Sequence, residues 1–310
     1  MNLRQVACLP EDLSMHRTAL ALVSLATMLA PAGARAQEAE TKVLEPSSAW
    51  NATYEDGRCR LSRMFGSEGQ QHALVFEQTA PESRFYMSVA GPAVADINDG
   101  LPLRLAFGPE GAESDQTIVK ERNPEFGAVL FLKDIDLRPA DPAEVEAGAG
   151  LAETGARIDV DAAAPLRQVS LTQGKQQLVF RTGPLAAPFG VLNDCTAHIL
   201  STWGIDPEAQ RTAQRGTRLL DPQKAARKVQ ETYPLQPLMQ GRGGVVGVAI
   251  LVDDAGAPTE CRVTNDSGDR TLNAVACDAL MKARYDPALD ASGKPMKSYW
   301  MTRVIYRVGV

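Results

Sequence analysis

The sequence predicts an α+β protein: a β-rich front half that ends in a helix, then a small unit of helices packed on a three-stranded antiparallel sheet. Three observations carry this. From Arg58 to Leu132, short apolar runs are broken by Gly, Pro and Ser, the pattern of an antiparallel β domain. Residues 188–203 change to helical spacing, with Val191, Leu192, Cys195, Ile199 and Leu200 recurring and Gly204 as a stop. Beyond residue 221 the order is helix, strand, strand, helix, strand, which a single sheet covered by helices accommodates.

The front elements follow in order. Arg58–Phe65 alternates in part, and His72–Phe76 and Arg84–Val89 are short runs bounded by turn residues. Leu101, Leu103, Leu105 and Phe107 share one face of a strand, Gly127–Leu132 forms another, and Leu178–Phe180 one more. Residues 139–165 are rich in Ala, Pro, Glu and Gly and read as loop with some surface helix. The polar stretch 206–220 is the expected linker, placing a front domain at 49–205 and a second domain at 221–310.

The second domain opens on Asp221-Pro222, an N-cap followed by proline at the first helical position, for a helix to about Thr232. Val246, Val248, Ile250 and Val252 share one face of a β-branched strand. Asp253–Gly256 turns the chain, and Cys261–Thr264 returns as the hairpin partner. Asp269 caps a helix with Leu272, Val275, Ala276, Ala279, Leu280 and Ala283 along one side. In the closing strand, Tyr299–Val308, the residues Trp300, Val304, Tyr306 and Val308 share one face; Arg303 and Arg307 lie on the other, expected to be wet.

Composition limits the function. The chain has 310 residues, 44% hydrophobic and 23% charged, so it is globular over most of its length. A net charge of −6 disfavours nucleic acid, whose phosphates need a clustered basic face. Met15-His16-Arg17, an apolar run from Thr18 to Ala30 and Ala34-Arg35-Ala36 have the layout of a secretory signal peptide cleaved after Ala36. The expected divisions are then an extension at 1–14 ahead of a start at Met15, a signal at 15–36 and a flexible segment at 37–48. Export to the periplasm, with no membrane anchor after cleavage, follows.

Cysteine usage agrees with export. Cys59, Cys195, Cys261 and Cys277 follow the signal, an even set that implies two disulfides. A helix crossing its own hairpin brings Cys261 to Cys277, although Cys277 sits about 140° from Leu272 on the helical wheel. Cys59 then pairs with Cys195 by default. No catalytic constellation competes. His198 lies three residues after Cys195, but a cystine with a neighbouring structural histidine outweighs a nucleophile or metal pair; His72 stands alone. Asp266-Ser267-Gly268 lacks the second triplet that an acid-protease pair requires. Gly241–Gly244 precedes a strand, whereas a phosphate cradle opens a helix. No enzyme, metal or cofactor is expected.

Residues 221–310 resemble the C-terminal domain of the TonB family of Gram-negative energy transducers. The resemblance rests on Tyr233-Pro234, Gly244–Val248 with Val252-Asp253 and Gly256, Ser267-Gly268, Leu272, Arg284–Ala288, Gly293–Pro295 and the closing strand. The front half resembles, through Trp50, Cys59, Cys195 and Trp203-Gly204, a segment fused to such domains in exported alphaproteobacterial proteins. The resemblance implies a binding module that takes an extended peptide of an outer-membrane transporter or other envelope protein beside the last strand, with Tyr233, Tyr299, Met301, Arg303, Ile305 and Arg307 as the partner-binding set. The alternative it implies is a true energy transducer, anchored in the inner membrane and facing the periplasm, which requires Thr18–Ala30 to stay uncleaved. The long Pro/Glu/Lys-rich spacer of family transducers is absent, and Thr232 and Ala283 stand where the classical domain has Gln and Trp.

Overall fold

A computed structural model describes residues 40–55, 57–108, 113–137 and 156–307. The expected extension, the signal segment, the stretch 139–155 and Val308 lie outside them. The front strands are β1 (Glu40–Leu44), β2 (Asn51–Glu55), β3 (Arg58–Phe65), β4 (His72–Gln78), β5 (Phe85–Ala90), β6 (Leu103–Phe107), β7 (Glu113–Gln116), β8 (Val119–Asn123), β9 (Gly127–Ile135), β10 (Val169–Gln173) and β11 (Gln176–Phe180). They form two sheets, one in the order β1-β11-β10-β6-β7 and one in the order β2-β3-β4-β5-β9-β8. All their pairings are antiparallel except β1 with β11.

The α-helices among the described residues are α1 (Val160–Ala163), α2 (Ala186–Thr202), α3 (Pro207–Arg211), α4 (Pro222–Glu231), α5 (Leu235–Met239) and α6 (Arg270–Leu280). Alternation along the strands sends Leu61, Leu74, Phe76 and Met87 of one sheet, and Leu105, Leu171 and Leu178 of the other, into one buried cluster. Phe189 of α2 reaches into it, with ring centroids 5.0 Å from Phe76 and 5.2 Å from Phe85. The Cys59–Cys195 disulfide fixes α2 to β3, with Cα atoms 5.9 Å apart.

Two expectations are corrected here. The segment 37–48 was expected to be flexible, yet residues 40–44 form β1, held in parallel register with β11 from Glu40↔Gln176 to Leu44↔Phe180. Its Thr41, Lys42 and Val43 are exposed, so the backbone ladder rather than an apolar pattern holds it, and composition concealed it. The expected linker 206–220 is also structured. Asp206 caps α3 through bonds from the amides of Glu208 and Ala209, and β12 (Arg218–Leu219) pairs with β15 (Tyr285–Asp286). Arg215 and Arg218 both bind the Asp286 carboxylate, which these two hydrogen bonds pull down to about 2.

The remaining strands are β13 (Gly244–Val252), β14 (Pro258–Asn265), β16 (Ala288–Leu289), β17 (Pro295–Met296) and β18 (Ser298–Tyr306). β14, β13 and β18 form a three-stranded antiparallel sheet in that order. One face carries Val246, Val248, Ile250 and Val252, buried with Leu272, Ala276, Ala279 and Leu280 of α6 and Ala225 and Val229 of α4. Asp269 caps α6 as its sequence position required, accepting from the Thr271 amide at 2.9 Å, and Cys261–Cys277 ties the helix to β14.

The other face of this sheet is not solvated. Ala249, Leu251, Tyr299 and Met301 are buried in the same cluster as the front sheets. The Tyr299 hydroxyl donates to the Pro81 carbonyl at 3.2 Å, and its ring meets Trp203 edge-on at 5.9 Å. The described residues from Glu40 onward therefore make one compact unit, with β13 buried on both faces. A strand covered on both sides reads as a continuous apolar run, and residues 245–252, all of them Val, Ala, Ile or Leu except Gly247, fit that pattern.

Candidate functional site

The two outer strands of the C-terminal sheet present different edges. β13 and β14 fall out of register twice, between Gly247 and Val248 and between Leu251 and Val252. Each shift leaves one extra residue in β14, Thr264 in the first and Thr259 in the second. Such bulges twist an edge away from further pairing. Pro258, which lacks an amide hydrogen, opens the same strand. The other edge is regular: β18 pairs with β13 through nine consecutive positions, from Gly244↔Tyr306 to Val252↔Ser298. β18 is the last strand of the sheet, with β13 as its one neighbour in the strand order. The outer edge of β18 forms the candidate site, since a regular edge strand is a template for a further strand.

The six residues expected at the site fall into different environments. Tyr299 is 1% exposed and Met301 7%, so at these positions β18 offers backbone and not side chain. Arg303 is not on a wet face as expected: it pairs with Asp134 at the end of β9 and lies 5.1 Å from the Tyr86 ring centroid. Packing of the sheet against the front sheets causes this, and local alternation carries no trace of a contact so distant in sequence. Ile305 is 57% exposed, and Arg307 is exposed just beyond the strand. Tyr233 lies against Tyr306 in a tilted ring contact at 5.0 Å, its hydroxyl donating to the Arg242 carbonyl at 2.8 Å. It thus braces the far end of β18. Burial raises the Tyr306 hydroxyl to about 12, so it stays protonated.

Beside this edge a cleft of about 530 Å³ separates the C-terminal sheet from the outward face of the six-stranded sheet. Val245, Asn265 and Arg303 form one wall; Tyr86, Phe131 and Lys133 are among the residues of the other. Glu82 lies close by, in a small recess with Tyr86, Gly247, Thr264, Met301 and Arg303. Burial raises its carboxyl to about 7, against the pull of Arg303 and Arg84 and with a push from Asp134. Glu82 and Phe131 were not among the expected site residues, because only the packing of the two sheets gives them their neighbours.

The remaining candidates are structural. His72 is buried: Nε2 accepts from the Ala93 amide at 3.0 Å, which leaves the proton on Nδ1 to bond the Gln70 carbonyl at 2.9 Å. Burial lowers its pKa, consistent with a neutral ring. Cys195 is consumed in its disulfide, and His198 meets Tyr54 edge-on at 6.0 Å. Asp266 accepts from Asn273 at 2.6 Å and from the Gly268 amide at 2.8 Å, bonds that lower its carboxyl and close the turn before α6. Residues 241–243 turn into β13. No helix among the described residues is long and apolar enough to cross a membrane.

Residues 229–308 match the family described as Gram-negative bacterial TonB protein C-terminal. The match runs from the last turn of α4 through β18 and contains the whole three-stranded sheet. No curated protein and no solved structure matches the chain.

Proposed function

We propose that this protein, with its TonB C-terminal domain at residues 229–308 as premise, is a periplasmic binding module that takes an extended segment of an outer-membrane transporter or another envelope protein as a fourth strand on β18. The observation that carries the reading is the asymmetry of the two edges: a regular ladder of nine positions along β18, the last strand of its sheet, against two bulges on β14. Backbone pairing supplies the affinity in such complexes and side-chain pockets supply the selectivity. Ile305 and Arg307, both exposed, are the partner-facing side chains of the expected set; Tyr299 and Met301 act through their backbone. Tyr233 holds the end of the strand in place.

The test is an amide chemical-shift titration of the full chain with transporter-derived and other envelope peptides. Shifts centred on residues 298–306 are expected. Shifts confined to other regions, or none with any such peptide, overturn the reading. Export by a signal at 15–36 belongs to the same proposal, and N-terminal sequencing of the protein from the periplasmic fraction should begin at Gln37. Retention of Thr18–Ala30 in a membrane fraction would replace it with the anchored transducer.

A further inference from the structure

The strand-binding edge has a floor built by the front half of the chain. The end of β14 lies over β3, since Asp266 feels the charge of Arg58 and Asn265 lines the cleft with Arg58 and Arg60. β18 lies over β5 and β9, through Arg303 on the Tyr86 ring and on Asp134. The six-stranded sheet runs β3-β4-β5-β9-β8 beneath. Passing from β14 through β13 to β18 therefore passes from β3 towards β9. The next position beyond β18, where an added strand would lie, is above β9 and β8.

That position has an apolar centre flanked by charge, since Glu121 of β8 and Lys133 of β9 line the cleft beside it. Phe131 of β9 and Val119 of β8 are direct cross-strand partners; they are 38% and 42% exposed, and both line the cleft. Phe131 alternates with the buried Leu130 and Leu132, so its ring stands on the outward face. Ile305 is two residues on from Arg303 and shares its side of β18. Sheets stack about 10 Å apart, so alternate side chains of an added strand fill the space between its backbone and Phe131.

We propose that the outward face of β8 and β9, through Phe131 and Val119, is a selectivity floor for the strand bound at β18, and that the partner is an extended segment with apolar side chains at alternate positions. This rests on strand addition to β18. The front half thereby adds to the TonB-type domain a recognition surface that the three-stranded sheet alone does not have.

The experiment titrates the wild-type full chain and the Phe131→Ser and Val119→Ser variants with a peptide that shifts the β18 amides. Both side chains are exposed, so the variants should melt as wild type does. A loss of affinity of about tenfold is expected for Phe131→Ser and less for Val119→Ser, with the β18 shifts retained at saturation. Serine scanning of the peptide against wild-type protein gives a readout that needs no variant: affinity should fall at every second position of the paired stretch. Unchanged affinity in both variants, or a scan without two-residue periodicity, overturns the floor and leaves strand addition standing. If no peptide shifts the β18 amides of the wild-type chain, both readings fall.

Discussion

β14 and β18 flank the same central strand, and the contrast between them shows how one sheet can keep one edge closed and another open. β14 carries two bulges, begins at a proline and is held to α6 by Cys261–Cys277. β18 has none of these features along its nine paired positions. Its side chains are nevertheless the more constrained: Tyr299, Trp300 and Met301 are all buried, against helices on one side and the front sheets on the other. A regular edge fixed on both faces is ordered before a partner arrives, so little ordering cost remains for binding. The lesson is that availability for pairing is set by backbone regularity, and is independent of how much side chain is exposed.

Breaking the closed edge should have the largest effect. Replacing Cys261 and Cys277 together by serine frees β14 from α6. The closed loop spans a sequence separation of 16, and its loss should cost about 3 kcal/mol in the chain-entropy account. Denaturant unfolding of oxidised wild type against the double variant measures it. The contrast between edges would be sharpened if β14 amides then exchanged faster while those of β18 kept their protection. Equal loosening of both edges would show that the bridge stabilises the whole unit and not β14 in particular.

The first bulge offers the next test. A Cβ on Gly247 would stand 2.8 Å from Thr264 Oγ1 and 2.9 Å from Asn265 Cβ, closer than side chains tolerate. Gly247→Val should therefore force β14 away from β13 and cost roughly 1–3 kcal/mol, read by the same unfolding experiment. The peptide response of β18 should survive in the folded fraction, because the strain falls on the opposite edge.

Much of this C-terminal unit was legible in the sequence. The β-branched alternation of 246–252, the Asp253 turn, the Asp269 cap and the closing strand are local signals, and the order of landmark residues gave the family resemblance that residues 229–308 bear out. The two disulfides followed from cysteine number and topology. What was hidden is long-range. The burial of Ala249, Leu251, Tyr299 and Met301 against the front core leaves each strand with an apolar pattern that a sheet packed on helices alone also produces. Arg303 reads as a solvent residue until Asp134, 169 positions away, is placed beside it. The strands β1, β2, β7 and β8 are exposed along most of their length, so little apolar periodicity marks them. The last strand was expected to carry the binding edge, but the two bulges that set β14 apart from it, a property of pairing, have no sequence signature.

The smallest effect is expected beneath the open edge, at Glu82, and it depends on pH. Burial raises its carboxyl to about 7 in the folded protein, against an ordinary value near 4.5. Arg303 and Arg84 pull it down; Asp134 pushes it up. Tyr86, in the same recess, has its own hydroxyl raised by burial and stays neutral. Between these two pKa values the folded state holds the proton more tightly than the unfolded chain, so stability from this group falls as pH rises. The contribution is complete below about 4.5 and is lost as pH passes about 7. Glu82→Gln keeps the shape and removes the charge. It should gain on the order of 1 kcal/mol at pH 8, a shift of a few degrees or less in melting temperature for a protein of this size, and the gain should shrink towards zero near pH 4.5. Melting curves of both proteins from pH 4.5 to 8 measure it. Arg303→Met removes the nearest compensating charge and should raise the Glu82 carboxyl further, moving the pH at which stability begins to fall upward; site-resolved carboxyl titration would show this directly. A Glu82→Gln gain that is flat with pH would mean that Glu82 is ionised throughout, and that Arg303 compensates it as fully as it does Asp134.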